Sequence, residues 1–276
     1  MFSLRIMNCK LKYLVFLLLP LLLSCEKEIP IDYHETDQHY VAEASLTQNG
    51  TNVRLSTTQN VTDNELHNHV VEGAVIVLSC KYYELNDTLR YTRNGIYTSE
   101  TVGDPGITYN LDIYVNGHHF SSSSTMQDVP DVKSFRFVWQ KMFSERVLYG
   151  DLRIQDDPDR NNYYFMHIYR NNIGYRWAVM NDEKNKGGEL QQLFSFTTES
   201  KMNDGDSDAL QEYDDIRIEI RGIDRASYDY LYSMQVMGSA GTNPIPNFTG
   251  GCLGYFSAYS YTNLRTKFHR NEIEEQ

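Results

Sequence analysis

The chain predicts an all-β fold with a minor helix, arranged as two β-sandwich-like domains, the first immunoglobulin-like. Three observations carry this. Asn-Gly dipeptides at 49–50, 94–95 and 116–117 each stand between runs that alternate apolar and polar residues, the strongest short-range hairpin signal. Rings are abundant, with 21 Tyr and 12 Phe, and aromatic residues in alternating segments suit half-buried sheet. One convincing stretch, 226–237, spaces its large residues as a helix does.

Taken in order, Tyr40 to Thr47 alternates in the strand sense, Asn49-Gly50 turns the chain, and Val53 to Thr58 returns it. Val70 to Tyr83 is long and rich in β-formers, with Gly73 near its start. Leu89 to Thr92 and Ile96 to Thr98 flank the second Asn-Gly turn. Tyr109 to Val115 alternates cleanly, and the third turn leads into His118 to Thr125. Short strands at this spacing predict a sandwich over 38–127.

Asp128-Val129-Pro130-Asp131-Val132 reads as a boundary. A second β-rich domain is expected over 132–268. Its strands fall at Ser134 to Gln140, Val147 to Gln155, Asn162 to Arg170, Tyr175 to Val179, Leu193 to Thr198 and Ile216 to Arg221. Asp156 to Arg160 contains Asp-Asp-Pro-Asp, whose side chains and ring favour a turn. Met202 to Asp215 is acidic and reads as an exposed loop. Ala226 to Met237 carries Tyr228, Leu231, Tyr232 and Gln235 on helical spacing, with Asp224 placed to cap its start. Gly238 to Gly254 is a long loop rich in Gly, Pro and Asn. Leu253 to Tyr261 is expected as a terminal strand, and 269–276 as a polar tail.

The first 24 residues have the three-part build of a secretory signal: Arg5, Lys10 and Lys12, then an apolar run from Leu14 to Leu23, then Ser24. Initiation at Met7 would leave a shorter leader of the same type. Leu22-Leu23-Ser24-Cys25 resembles a bacterial lipobox, which implies cleavage before Cys25 and lipid on that cysteine. The alternative is an ordinary signal cleaved near Ser24. Glu26-Lys27-Glu28 resembles the charged export signals of surface lipoproteins, and residues 25–37 read as a tether. Cys80 and Cys252 remain in an oxidising compartment. They are expected in different domains, as two buried thiols rather than one bridge.

The formal charge is −12. Removing the three basic residues of the leader leaves 22 basic against 37 acidic residues, or −15. That balance argues against nucleic acid as a partner; it also serves solubility.

A set of short motifs runs in order along the chain: CEKEIPID at 25–32, VAEA at 41–44, VRLS at 53–56, VEGAV at 71–75, GIY at 95–97, GDPGITYNL at 103–111, NYY at 162–164, SYDYL at 227–231 and GGCLGYFSAY at 250–259. Together they resemble a lipoprotein family of the Bacteroidota known as domain of unknown function 4249, over nearly all of the mature chain. The resemblance implies an outer-membrane lipoprotein associated with TonB-dependent receptors. It brings no catalytic residues. This sequence departs from the pattern in being shorter and in placing Cys252 where a small apolar or glycine-like residue is expected.

Candidate sites are few. Asp204, Asp206 and Asp208, with Asp215 at the twelfth position, have the alternation of a calcium loop, but Ala209 stands where that loop needs Gly. An acidic surface loop is the better reading, and no metal or other cofactor is expected. His67, His69, His118 and His119 read as hairpin polar residues rather than ligands. Ser121 to Thr125 offers hydroxyls without an activating base nearby in sequence. Tyr228, Tyr230 and Tyr232 have core spacing, and Gly250-Gly251 lacks the context of a phosphate loop. The long loop, with Pro244 and Phe248, is either a partner-binding surface or a closure for the edge of the second sandwich.

The expectation that follows is a non-catalytic binding or accessory component of a TonB-dependent transport system. Its partners are the bilayer, through acylated Cys25, and an outer-membrane β-barrel transporter. Exposure at the cell surface is favoured over facing the periplasm. The alternative is a surface hydrolase with an unrecognised active site.

Overall fold

A computed structural model describes residues 37–59, 69–183, 186–237 and 244–275. Residues 37–276 form one compact unit. Cys25 and His67 lie outside the described residues, as do 238–243 of the long loop.

The part before the boundary forms β1 (Tyr40–Thr47), β2 (Gly50–Thr57), β3 (Val75–Cys80), β4 (Leu85–Thr88), β5 (Arg90–Arg93), β6 (Ile96–Ser99), β7 (Thr108–Val115) and β8 (His118–Thr125). Alternation decides the faces. In β1, Ala42, Ala44 and Leu46 point inward; in β7, Tyr109, Leu111, Ile113 and Val115 do so. The two later Asn-Gly turns have both residues at positive φ, Asn94 and Gly95 at 51° and 71°, Asn116 and Gly117 at 48° and 79°, as type I′ hairpins require. The first behaves differently. Gln48 and Asn49 form its loop and Gly50 already pairs with Thr47. There the Thr47 hydroxyl accepts from the Asn49 amide at 3.0 Å.

The rest supplies β9 (Asp131–Met142), β10 (Glu145–Gln155), β11 (Tyr163–Arg170), β12 (Ile173–Asn181), β13 (Glu189–Thr198), α1 (Glu199–Asn203), β14 (Asp215–Ile223), α2 (Arg225–Met237), β15 (Leu253–Ala258), β16 (Ser260–Lys267) and β17 (Glu274–Glu275). The sheets run β15-β1-β2-β6-β5, β4-β3-β7-β8, β13-β10-β9-β17 and β12-β11-β14-β16. The first two enclose one core, with Leu55, Ile76, Tyr97, Tyr109 and Phe256 among its buried residues. The last two enclose another, with Leu148, Met166, Ile218 and Phe268. The all-β class with a minor helix is therefore the observed one, and α2 begins one residue before the expected position.

Several expectations need correction. The expected terminal strand Leu253 to Tyr261 is two strands that part company at Tyr259. β15 pairs in parallel with β1, while β16 pairs antiparallel with β14. The second domain is thus not a continuous 132–268, because Phe248, Cys252, Phe256 and Ala258 lie in the first core. Cys80 and Cys252 share that core as free, buried thiols. The polar tail is not free: Glu274 and Glu275 pair with Val138 and Trp139 of β9, and Arg136 binds Glu274 at 2.6 Å. The acidic loop is anchored too, since Met202, Ala209 and Leu210 are buried in the second core.

Candidate binding surfaces

Alternation on β11 sends Tyr164, Met166 and Ile168 into the second core and leaves Phe165, His167 and Tyr169 on the opposite face. β14 does the same, with Ile216, Ile218 and Ile220 inward and Arg217, Glu219 and Arg221 outward. Pairing registers then assemble a grid. His167 lies between Trp177 and Glu219, and Asn263 follows Glu219 in the same row. Tyr169 stands opposite Arg217, and Phe165 opposite Arg221.

The grid is held by its own chemistry. The Arg217 guanidinium lies 3.7 Å over the Tyr169 ring and that of Arg221 4.8 Å over Phe165. Glu219 accepts from Arg217 at 3.0 Å and from Arg221 at 2.7 Å. His167 stacks on Tyr169 with centroids 4.1 Å apart. Burial, with Arg221 nearby, pulls the His167 pKa below its usual value, so this imidazole stays neutral at neutral pH.

Helix α2 covers one end of the face. Tyr230 and Leu231 pack there with Tyr163, Phe165, Val179 and Ile223, and the Gln235 side-chain oxygen accepts from the Val179 amide at 3.1 Å. The end bearing His167, Tyr169 and Trp177 lies outside this cluster. Trp177 is 38% exposed, and Tyr232 and Val236 on the helix are 46% and 52% exposed. Sequence periodicity marked these strands. It did not mark the face, because which side of a strand is covered depends on the partner sheet.

The loop candidate occupies a second place. Residues 244–254 close the edge of the first sandwich, not the second. Asn247 does this by pairing its side-chain amide with β15, accepting from the Phe256 amide and donating to the Phe256 carbonyl, each at 2.8 Å. Phe248 is buried in the first core, whereas Pro244 is half-buried. A groove of about 430 Å³ remains beside it, lined by Ser121, Ser123, Asp229, Pro246, Asn247 and Thr249. Ser122 and Ser124 are buried and tied to Asn247 and Asp224.

The acidic quartet is divided among separate bonds. Asp208 pairs with Arg176 at 3.0 Å and Asp215 with Arg265 at 3.0 Å. Asp206 accepts from the Asp208 amide at 3.0 Å, and Asp204 caps α1. His119 stacks on Tyr114 and meets Asp112 at 2.8 Å; His118 lies against Tyr40 and Phe120; His69 is buried near Thr57. Of the three helix tyrosines, Tyr230 stacks on Tyr255 and Tyr228 on Tyr232. Among the described residues no helix is long and apolar enough to cross a membrane.

Fold and surfaces together define an all-β protein that exposes an aromatic and arginine-rich sheet face beside one helix. The family described as domain of unknown function DUF4249 matches residues 26–265, and the chain belongs to it. Comparison with curated proteins gives no match.

Proposed function

We propose that this protein is a lipid-anchored, non-catalytic accessory component of a TonB-dependent transport system, and that it binds its partner through the open end of the β12-β11-β14-β16 face. The observation that carries the reading is the composition of that face. Trp, Tyr and Arg are the residues that dominate binding energy at protein interfaces, and here Trp177, Tyr169 and Arg217 stand together on an ordered sheet. An outward sheet face that serves only solubility needs no tryptophan beside stacked arginines. The leader and Cys25 support an outer-membrane anchor, and the resemblance to receptor-associated lipoproteins supports the kind of partner.

The test is capture from outer-membrane extracts with the intact protein as bait. A stoichiometric β-barrel partner is expected, and Trp177→Ala with Arg217→Ala should lower its recovery by at least about tenfold. Deleting the gene should impair uptake of a particular nutrient. A protein that stays monomeric in native extracts and turns over a member of a peptide or glycan library would overturn the reading in favour of a surface hydrolase.

A further inference from the structure

Two buried carboxylates at one end of the second sandwich have no counter-charge among the described residues. Asp156 follows β10 and is 3% exposed; Asp182 follows β12 and is 0% exposed. An ionised carboxylate removed from water is strongly unfavourable unless a cation or a full set of donors meets it. Asp156 has a partial set: the Gly187 amide at 2.8 Å on one oxygen, and the Tyr164 hydroxyl at a long 3.5 Å on the other. Asp182 has the Asn162 amide at 2.9 Å on Oδ2. Its Oδ1 is buried and has no hydrogen-bond partner among the described residues.

One oxygen of each carboxylate, with the Asp157 carbonyl, converges on one atom. Asn162 Nδ2 lies 3.0 Å from Asp156 Oδ1, 3.0 Å from the Asp157 carbonyl and 3.3 Å from Asp182 Oδ2. An amide NH2 has two hydrogens and cannot serve three acceptors. Two of those acceptors are anionic, so the point they surround is strongly negative. Tyr164 reports this: burial, with Asp156, Asp182 and Asp157 nearby, pushes its pKa up.

We propose that a hard divalent cation, calcium by its ligands, binds among these oxygens, beside the Asn162 side-chain amide. Its ligands are the carboxylates of Asp156 and Asp182, the Asp157 carbonyl and, once the amide turns over, Asn162 Oδ1. Side-chain amide oxygen and nitrogen have the same shape, and their assignment follows the local bonding. Among the described residues no three His, Cys, Asp or Glu side chains gather. The site therefore rests on two carboxylates, neutral carbonyls and water, a mixture calcium accepts. Two charges set a modest affinity, with Kd on the order of 10⁻⁴ to 10⁻³ M, typical of extracellular modules. Occupancy pins the 156–162 connection against Asp182. Arg160 carries that order onward, binding both Asp157 at 3.1 Å and Asp128 of the inter-sandwich connector at 2.5 Å. These residues line a cleft of about 310 Å³ at the junction.

The test uses the full chain in detergent. Calorimetric titration with calcium chloride should give one saturable site, and calcium at about a hundredfold excess over Kd should raise Tm on the order of 5 °C relative to chelator. Asp182→Asn should weaken binding by at least about tenfold, while Asp208→Asn should not change it. Terbium luminescence excited through tyrosine should fall in Tyr164→Phe with calcium affinity retained. Should Asp182→Asn fail to fold, Asn162→Ala provides the same comparison with both carboxylates in place. Absence of saturable heat, together with a Tm indifferent to calcium, would overturn the proposal. Calcium binding that survives both Asp182→Asn and Asn162→Ala would overturn it as well.

Discussion

Asp224 and Ser124 join the two halves of the molecule through one carboxylate. Asp224 Oδ2 accepts from the Ser124 hydroxyl at 2.6 Å and from the Thr125 amide at 3.1 Å. Its Oδ1 accepts from the Ser227 amide at 2.8 Å, capping α2. The Ser124 oxygen in turn accepts from the Ala258 amide at 2.8 Å. A helix start, the edge of β8 and the end of β15 thus share one chain of hydrogen bonds.

Asp224→Ala should therefore cost more than an ordinary cap. Loss of the cap contributes about 1 kcal/mol and the buried groups left unpaired a further ~1–3 kcal/mol. Urea unfolding should show the loss, with Asp224→Asn retaining part of it. A change no larger than a surface substitution would mean the bridge is not formed in solution.

Phe248 and Pro244 should separate cleanly, although both belong to the loop first read as a partner surface. Phe248→Ala removes a buried ring from the first core and should cost about 3–5 kcal/mol. Pro244→Ala should stay within about 1 kcal/mol. Thermal melts of the two variants decide it, and equal shifts would contradict the packing described.

The buried thiols should be inert in the native protein. Burial pushes the Cys252 pKa up from 9.0 to about 12, so the nucleophilic thiolate is absent at neutral pH. Thiol titration should label Cys80 and Cys252 only after unfolding. The sign of the pH effect follows. Between pH 9 and 12 the unfolded chain has lost this proton while the folded chain keeps it, so stability from this group is full below pH 9 and falls as pH rises towards 12. Cys252→Ala should flatten that decline.

Gly254 should tolerate no side chain. It sits at φ 93°, and a Cβ there would lie 2.1 Å from the Ala42 carbonyl across the β1–β15 pair. Gly254→Ala should detach β15, lowering Tm by more than Gly251→Ala, where nothing lies within 4 Å of the added carbon.

Cys25→Ala tests the anchor. The variant should leave membrane fractions or accumulate uncleaved. Membrane retention with normal cleavage would sink the lipidation reading.

Local signals were enough for local structure. Alternation located β1 and β7, and the Asn-Gly pairs at 94–95 and 116–117 stated their turns. The cap at Asp224 and the spacing of Tyr228, Leu231 and Gln235 located α2 nearly to the residue. Each depends only on neighbours in the chain, through the period of the pleat, φ preference or an orphan amide at a helix start. The β3–β4 turn escaped detection because Glu84 takes φ 51° without Gly or Asn to announce it.

Tertiary structure decided everything that depends on long-range pairing. Leu253 to Tyr261 looks like one strand because its composition is continuous. It divides because β1 and β14 both need an edge partner, and the Tyr259 amide turns to the Leu46 carbonyl at 3.0 Å between them. Cys80 and Cys252 enter one core for the same reason. The sheet face with Trp177 and Arg217 exists only once β11 has both neighbours. Asp156 and Asp182, 26 positions apart, meet only when β10 and β12 end on the same side. Sequence states what each residue prefers within its own turn of chain; burial against distant strands selects which of those preferences face each other.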